Sequence, residues 1–227
     1  MTCPFCSAPT VPGARYCHNC GAPLSPEASA PQTERRYVTV LFGDLSDFTT
    51  WSESLDPERV SSVTDRLLAE CVGAVNEFGG HVDKLTGDGL MAVFGAPLSH
   101  EDDAERAVRA AQAMQKRVRR LLKAESGGGL PIGLRIGLRS GLVVAGMQAN
   151  LEYTVIGDTV NTAARLCDAA SVGTISAGEE TMAATKHAAA WRRLVGAHRR
   201  REHRVDYLAA WNNGRAFLAA EDGLRGR

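Results

Sequence analysis

Apolar positions along this chain change their period several times, and each change marks an element. Tyr37–Gly43 (YVTVLFG) alternates and is rich in β-branched and aromatic residues, which predicts a strand. Asp56-Pro57 then offers a helix N-cap followed by proline at the first helical position. Val60, Val63, Leu67, Cys71, Val75 and Phe78 keep steps of three and four, so a long amphipathic helix follows, ended by Gly79-Gly80. Two short apolar runs, His81–Leu85 and Leu90–Phe94, flank Thr86-Gly87-Asp88-Gly89, which has the composition of a hairpin turn. Ser99-x-x-Asp102 predicts a capping box for a second long helix, marked by Ala104, Ala107, Val108, Ala111, Met114, Val118, Leu121 and Leu122. Beyond Gly127-Gly128-Gly129, Ile132–Leu138 and Leu142–Ala145 read as a hairpin across a Ser140-Gly141 turn. Tyr153–Ile156 is a further strand and Asp158–Ala170 a helix. Helices added to one antiparallel-rich sheet predict an α+β fold, a ferredoxin-like antiparallel sheet sandwich.

Composition narrows the class. The chain has 227 residues, enough for one good-sized domain and something small, and its 44% hydrophobic and 23% charged residues suit a packed core. Lys plus Arg number 26 and Asp plus Glu number 26, so there is no basic excess of the kind a nucleic-acid binder carries. No apolar stretch approaches the roughly 18 residues needed to span a membrane. Met1-Thr2-Cys3-Pro4 lacks the basic start and apolar run of a secretory signal, so a cytoplasmic location without a membrane is expected.

The cysteines divide the chain. Cys3-x-x-Cys6 and Cys17-x-x-Cys20 place two pairs within the first twenty residues, each able to sit on a tight turn that aims two sulfurs at one point. Two such turns make a tetrahedral thiolate cage for one structural zinc. Gly13 and Gly21, each following one of the pairs, suit knuckle backbones with positive φ. The competing reading, two disulfides in a secreted module, lacks the signal it needs. Residues 1–22 are therefore expected to form a zinc ribbon too small for a hydrophobic core, with its folding energy coming from the metal and its surface a candidate for protein contact. Residues 23–34, rich in Pro and Ala, read as a linker, and the main domain is expected over 35–185. Cys71 and Cys167 lie alone in apolar helical patterns, as core residues do. Residues 186–227 form an Arg-rich tail: Trp191–Arg204 reads WRRLVGAHRRREHR, a solvated helix or a basic patch.

Two carboxylates interrupt the apolar pattern at strand ends. Asp44 sits at the exit of the first strand and Asp88 in the turn of the central hairpin. Two carboxylates converging at a sheet end either repel or share metal ions, whereas each alone is an ordinary turn former.

Three runs carry a specific resemblance. Val40–Thr49 (VLFGDLSDFT), Gly79–Gly95 (GGHVDKLTGDGLMAVFG) and Leu151–Leu166 (LEYTVIGDTVNTAARL) resemble, in order and spacing, the motifs of class III nucleotidyl cyclases. The resemblance covers about Arg35 to Glu180. It implies an adenylate cyclase, converting ATP to 3′,5′-cyclic AMP and pyrophosphate. It implies two Mg or Mn ions per active site, held by Asp44, Asp88 and the backbone carbonyl of Leu45. It places Lys84 and Thr154 at the purine-reading positions, Phe48 and Thr49 beside the triphosphate, Asn161 at the ribose and Arg165 at the α-phosphate. The family builds each site from two subunits, so a head-to-tail homodimer is implied. A guanylate cyclase is disfavoured by Lys84, a donor that opposes the N1–H of guanine. A nucleotide-binding or dimerisation module without turnover is the other alternative, because Asp47 stands where most relatives have glycine, and no residue after Glu180 matches the family's phosphate-contacting lysine.

Overall fold

The alternating run at Tyr37 lies within β1 (Glu34–Ser46), the strand from which the sheet is built in the computed structural model. The structure describes residues 2–3, 6–12, 14, 16–20, 24, 33–53, 56–126, 132–148, 152–187, 192–194 and 208–211. Most of the expected linker, together with Gly13 and Gly21, lies outside these residues. The chain divides into two units, Met1–Glu34 with Gly146–Thr154, and Arg35–Ala145 with Val155–Arg227.

After β1 come α1 (Phe48–Glu53), α2 (Pro57–Glu77), β2 (His81–Leu85), β3 (Gly89–Phe94) and α3 (Asp103–Ser126). These are followed by β4 (Gly133–Gln148), β5 (Glu152–Ile156), α4 (Asp158–Ala169), β6 (Ile175–Ala177), α5 (Glu179–Ala184), β7 (Arg192–Leu194) and β8 (Leu208–Trp211). The sheet order is β2-β3-β1-β4-β6-β8-β7, with β5 paired to β4 off this path. β1–β3, β2–β3, β6–β8 and β7–β8 are antiparallel, and β4–β6 is parallel. This is the expected α+β sheet sandwich. The parallel pair needs a crossover, which α4 provides.

Local chemistry explains most boundaries. Asp56 caps α2, its carboxylate accepting from Glu58 N–H at 2.9 Å, and Pro57 opens the helix. The β2–β3 hairpin pairs Leu85 with Leu90, and Thr86 N–H donates to Gly89 O at 2.8 Å. The capping box at α3 is displaced by one residue. Asp103, not Asp102, accepts from His100 N–H at 2.7 Å and from Ser99 Oγ at 3.5 Å, while Asp102 pairs with Arg106 at 2.7 Å.

The expected turn at Ser140-Gly141 does not exist. β4 runs unbroken through both residues, and packing rather than a turn explains them. Ser140 is buried, with its N–H donating to Thr181 Oγ1 at 2.9 Å and its hydroxyl bonded to those of Thr39 and Thr181. A Cβ on Gly141 would lie 2.6 Å from Thr159 Oγ1, and one on Gly137 would lie 2.3 Å from Ala163 O. Both glycines therefore let α4 lie directly on β4. In the tail, Arg192–Leu194 is a strand rather than a helix, paired with β8, which pairs in turn with β6.

The core lies where α2 and α3 cover the sheet, built from Leu41, Leu67, Cys71, Phe94, Met114, Ile136 and Leu138 among others. Burial of such side chains contributes roughly 1.5–3 kcal/mol each. This packing anchors β1, whose end carries Asp44, and β3, which Asp88 precedes in the hairpin turn.

Candidate active site and cysteine cluster

β1 and β3 bring the two carboxylates together. Asp44 is the Cα partner of Gly89, next to Asp88, and Leu45 N–H donates to Asp88 O at 3.2 Å. Burial and then the charge of Asp44 raise the pKa of Asp88 above the usual aspartate value. Arg135, on β4, meets this pair. Its Nε and Nη2 both donate to Asp44 Oδ2, at 2.9 and 2.6 Å, and Nη2 lies 3.8 Å from Asp168 Oδ1. Burial works against the Arg135 charge, but its hydrogen bond with Asp44 and the carboxylate charges prevail and raise its pKa. Burial, then the charge of Asp44, pushes the Cys167 thiol up to about 12, so it stays neutral beside them.

Arg135 was not among the sequence-derived site residues. The signal for it is an arginine in the middle of an otherwise apolar alternating strand, a position that requires a partner.

Asp44 and Asp88, whose charges interact, and the carbonyl of Leu45, whose N–H is bonded to Asp88 O, would offer only oxygen donors, the kind that hard divalent cations take. Burial first, and then the nearby Asp44 charge, raise the pKa of Asp88, and a cation would relieve both by stabilising the carboxylate. The residues present fit Mg or Mn.

Phe48 opens α1 and packs its half-buried ring 5.7 Å from that of Trp51. It also lines a cavity of about 580 Å³ with Ser52, Thr64, Asp65, Gly87 and Asp88. Thr49 follows Phe48 in α1. Lys84, on β2, has its side chain half exposed and its Nζ 3.5 Å from Asp83 Oδ2. Asn161 and Arg165 lie four residues apart on α4 and are both exposed, while Ala163, Leu166 and Cys167 turn inward. Thr154, on β5, is buried, and its hydroxyl has no hydrogen-bond partner. Thus Asp44, Leu45 and Asp88 form one group and Asn161 with Arg165 another. Among the described residues no hydrogen bond or ion pair joins Asn161, Arg165 or Lys84 to Asp44 or Asp88.

The first unit carries the cysteines. A Thr2–Pro9 bridge, with Cys3 N–H donating to Ala8 O and Ser7 N–H to Cys3 O (both 2.9 Å), folds the first pair into a knuckle. The positive φ there, 58°, falls on Ser7. All four sulfurs lie within 4.8 Å of one another, with Cys3–Cys20 at 3.7 Å and Cys6–Cys17 at 3.6 Å. A disulfide is about 2.0 Å long, whereas a zinc tetrahedron with ~2.3 Å bonds has edges of about 3.8 Å. The cluster has the dimensions of a metal site, and none of these four cysteines is in a disulfide. Hydrogen bonds from the Ala8 backbone and the Asn19 side chain lead the interactions that pull Cys6 down to about 6, which favours the thiolate a metal requires.

Among the described residues no helix is long and apolar enough to cross a membrane. The structure is similar to that of the adenylyl cyclase CyaB from P. aeruginosa, with a TM-score of 0.72 and 30% identity over 81% of this chain and 98% of that one. It is also similar to the guanylyl cyclase Cya2, with a TM-score of 0.67 and 30% identity over 82% and 96% of the two chains. In sequence it is 37% identical over 139 residues to Adenylate cyclase 1 of Rhizobium meliloti (strain 1021). That match covers 58% of this chain and 20% of that protein. It is 35% identical over 149 residues to an adenylate cyclase of Anabaena cylindrica, covering 62% and 28%. The matched region therefore spans only between a fifth and three tenths of the length of these curated relatives. The sequence model described as Adenylate and Guanylate cyclase catalytic domain matches residues 30–205, well over half the chain, and the protein belongs to that family.

Proposed function

We propose that this chain is an adenylate cyclase, forming 3′,5′-cyclic AMP and pyrophosphate from ATP at sites shared between two copies. The observation that carries this reading is the convergence of Asp44, Asp88 and Leu45 at one sheet end in a member of this family, with lysine at position 84. Asp44, Asp88 and the Leu45 carbonyl would hold divalent cations, which when bound would supply acidity toward the ribose 3′-hydroxyl and charge against the triphosphate. The 3′-oxygen attacks the α-phosphorus of the same molecule, so positioning replaces much of the entropic cost. The new oxygen–phosphorus bond forms as the bond to the β-phosphate bridging oxygen breaks. The hydroxyl proton is released and pyrophosphate leaves.

In this reading Arg165 offers its planar fork to the oxygens that gain charge on the α-phosphate. Asn161 orients the ribose, and the α1 entry at Phe48 and Thr49 faces the triphosphate. Lys84 donates to adenine N1, which carries no hydrogen, and Thr154 accepts from the 6-amino group. Among the described residues no hydrogen bond or ion pair joins Asn161 or Arg165 to the carboxylate pair within one chain, and the family resemblance supports a head-to-tail homodimer in which each copy supplies one set. Residues 1–22 form a ribbon around one structural zinc, 23–34 a linker and 35–185 the catalytic core, while 186–227 add a tail whose β7 and β8 extend the sheet. The ribbon is the surface open to a protein partner, and the location is cytoplasmic.

The similarity to solved guanylyl cyclase domains favours a second reading, GTP as substrate. Turnover of ATP and of GTP with Mg and Mn, measured on the same preparation, decides between them. Preference for ATP supports the proposal, and equal or greater use of GTP overturns it. A folded dimer that turns over neither nucleotide is a binding module.

A further inference from the structure

Strand β2 lies at the end of the sheet order and contains an irregularity. Its pairing with β3 runs Val82 to Ala92 and then Lys84 to Met91, leaving Asp83 as the extra residue of a bulge. Successive strand side chains normally face opposite sides. Here Asp83 Oδ2 lies 3.5 Å from Lys84 Nζ. The Asp83 side chain is 2% exposed, and its Oδ1 is buried with no hydrogen-bond partner, whereas the Lys84 side chain is 50% exposed.

This arrangement is costly as a purely structural device. A buried carboxylate oxygen without a donor loses its hydration and gains nothing in return. The carboxylate holds an ammonium at the surface end of a long side chain that would otherwise sample many rotamers. An inward-pointing charge on an end strand also discourages edge-to-edge pairing, but that role needs no contact with Lys84.

We propose that Asp83 is the positioning residue for Lys84, holding its ammonium where a purine N1 is read and so setting nucleotide preference. The proposal rests on the purine-reading role of Lys84 given above. Asp83 acts through Lys84 and does not itself touch the nucleotide.

The test is a double-mutant cycle of Asp83→Asn and Lys84→Met in the full chain. The readouts are kcat/KM for ATP and for GTP, and calorimetric binding of α,β-methylene ATP and GTP, whose α–β bridge cannot be cleaved. Asp83→Asn alone is expected to lower the ATP-over-GTP preference roughly three- to tenfold, and to change nothing further in the Lys84→Met background. Asp83→Glu is expected to recover part of the preference. If Asp83→Asn lowers binding of both nucleotides equally, or by the same factor with and without Lys84, its role is structural and the proposal falls while the reading of Lys84 stands. If Lys84→Met itself leaves the preference unchanged, both fall. Should Asp83→Asn fail to fold, Asp83→Ser and Asp83→Glu complete the same cycle.

Discussion

Arg135 places Nε and Nη2 on the same oxygen of Asp44, at 2.9 and 2.6 Å, and so holds one of the two carboxylates at the sheet end. Both side chains are largely covered, so the pair is less screened than a surface salt bridge. Arg135→Met leaves Asp44 facing Asp88 without a counter-charge. It is expected to cost about 1–2 kcal/mol, a fall in Tm of roughly 2–8 °C for a chain of this size. Mn²⁺ should recover much of that loss, because a cation between the carboxylates takes over the charge balance. Thermal unfolding with and without Mn²⁺ checks this, and an equal loss in both conditions would show that Arg135 serves packing alone.

Asp88 has the opposite sign. Burial and the charge of Asp44 raise its pKa, so the folded state binds the proton more tightly than the unfolded state. Its contribution to stability is full below the unfolded aspartate pKa and is lost as pH rises through the folded value. Asp88→Asn removes that loss. It should stabilise the metal-free protein at neutral pH by less than about 1 kcal/mol, because the group is only partly covered, while abolishing Mn²⁺-dependent turnover. Mn²⁺ affinity of the parent should begin to fall on acidification at a higher pH than an ordinary aspartate predicts. Titration calorimetry in a descending pH series from neutrality, with an ordinary exposed aspartate as the reference, measures it.

Asp47 adopts φ 60°, the left-handed region, immediately before α1. Glycine removes the steric penalty but adds unfolded-state entropy, so Asp47→Gly should change stability by no more than about 1 kcal/mol. Its larger expected effect is on nucleotide binding. Deleting an exposed carboxylate beside the proposed triphosphate site should lower KM for ATP severalfold, and the gain should shrink as salt is raised. An unchanged KM at low ionic strength would place Asp47 away from the phosphates.

Mixing Asp44→Ala with Arg165→Ala tests the shared site. Each variant alone should be inactive, and each heterodimer should hold one intact site of two. Random exchange then predicts about a quarter of parental activity. A mixture that stays inactive while both variants fold and exchange subunits refutes the two-chain site.

The four-sulfur cluster predicts one zinc per chain. Cys3→Ser and Cys17→Ser remove buried ligands and should each abolish stoichiometric zinc, as should a strong chelator, with local unfolding of the first unit. Metal analysis of the purified protein with zinc near zero per chain would overturn this prediction.

Much of the fold is local and was therefore legible along the chain. The steps of three and four from Val60 to Phe78 and the cap at Asp56 specify α2. The Thr86–Gly89 turn specifies the β2–β3 hairpin, and the paired Cys-x-x-Cys spacings specify a cluster. Family membership was legible from three ordered runs, because each combines a strand end, a turn and chemical groups at set spacing.

What failed was nonlocal. Ser140-Gly141 has turn composition, but a serine whose hydrogen bonds go to Thr39 and Thr181, and a glycine pressed against Thr159, are answers to neighbours distant in sequence. Trp191–Arg204 has no strand pattern of its own, and β7 exists through pairing with β8. Arg135 reads as a polar interruption until β4 is set beside β1 and its guanidinium meets Asp44, 91 residues away. Asp83 reads as one more strand residue until the bulge in β2 seats it beside Lys84. By itself the sequence determined periodicity, caps, turns and the kinds of chemical group available. Tertiary structure alone decided which charges face each other, because Coulomb energy and desolvation depend on distance and burial, which no spacing along a chain contains.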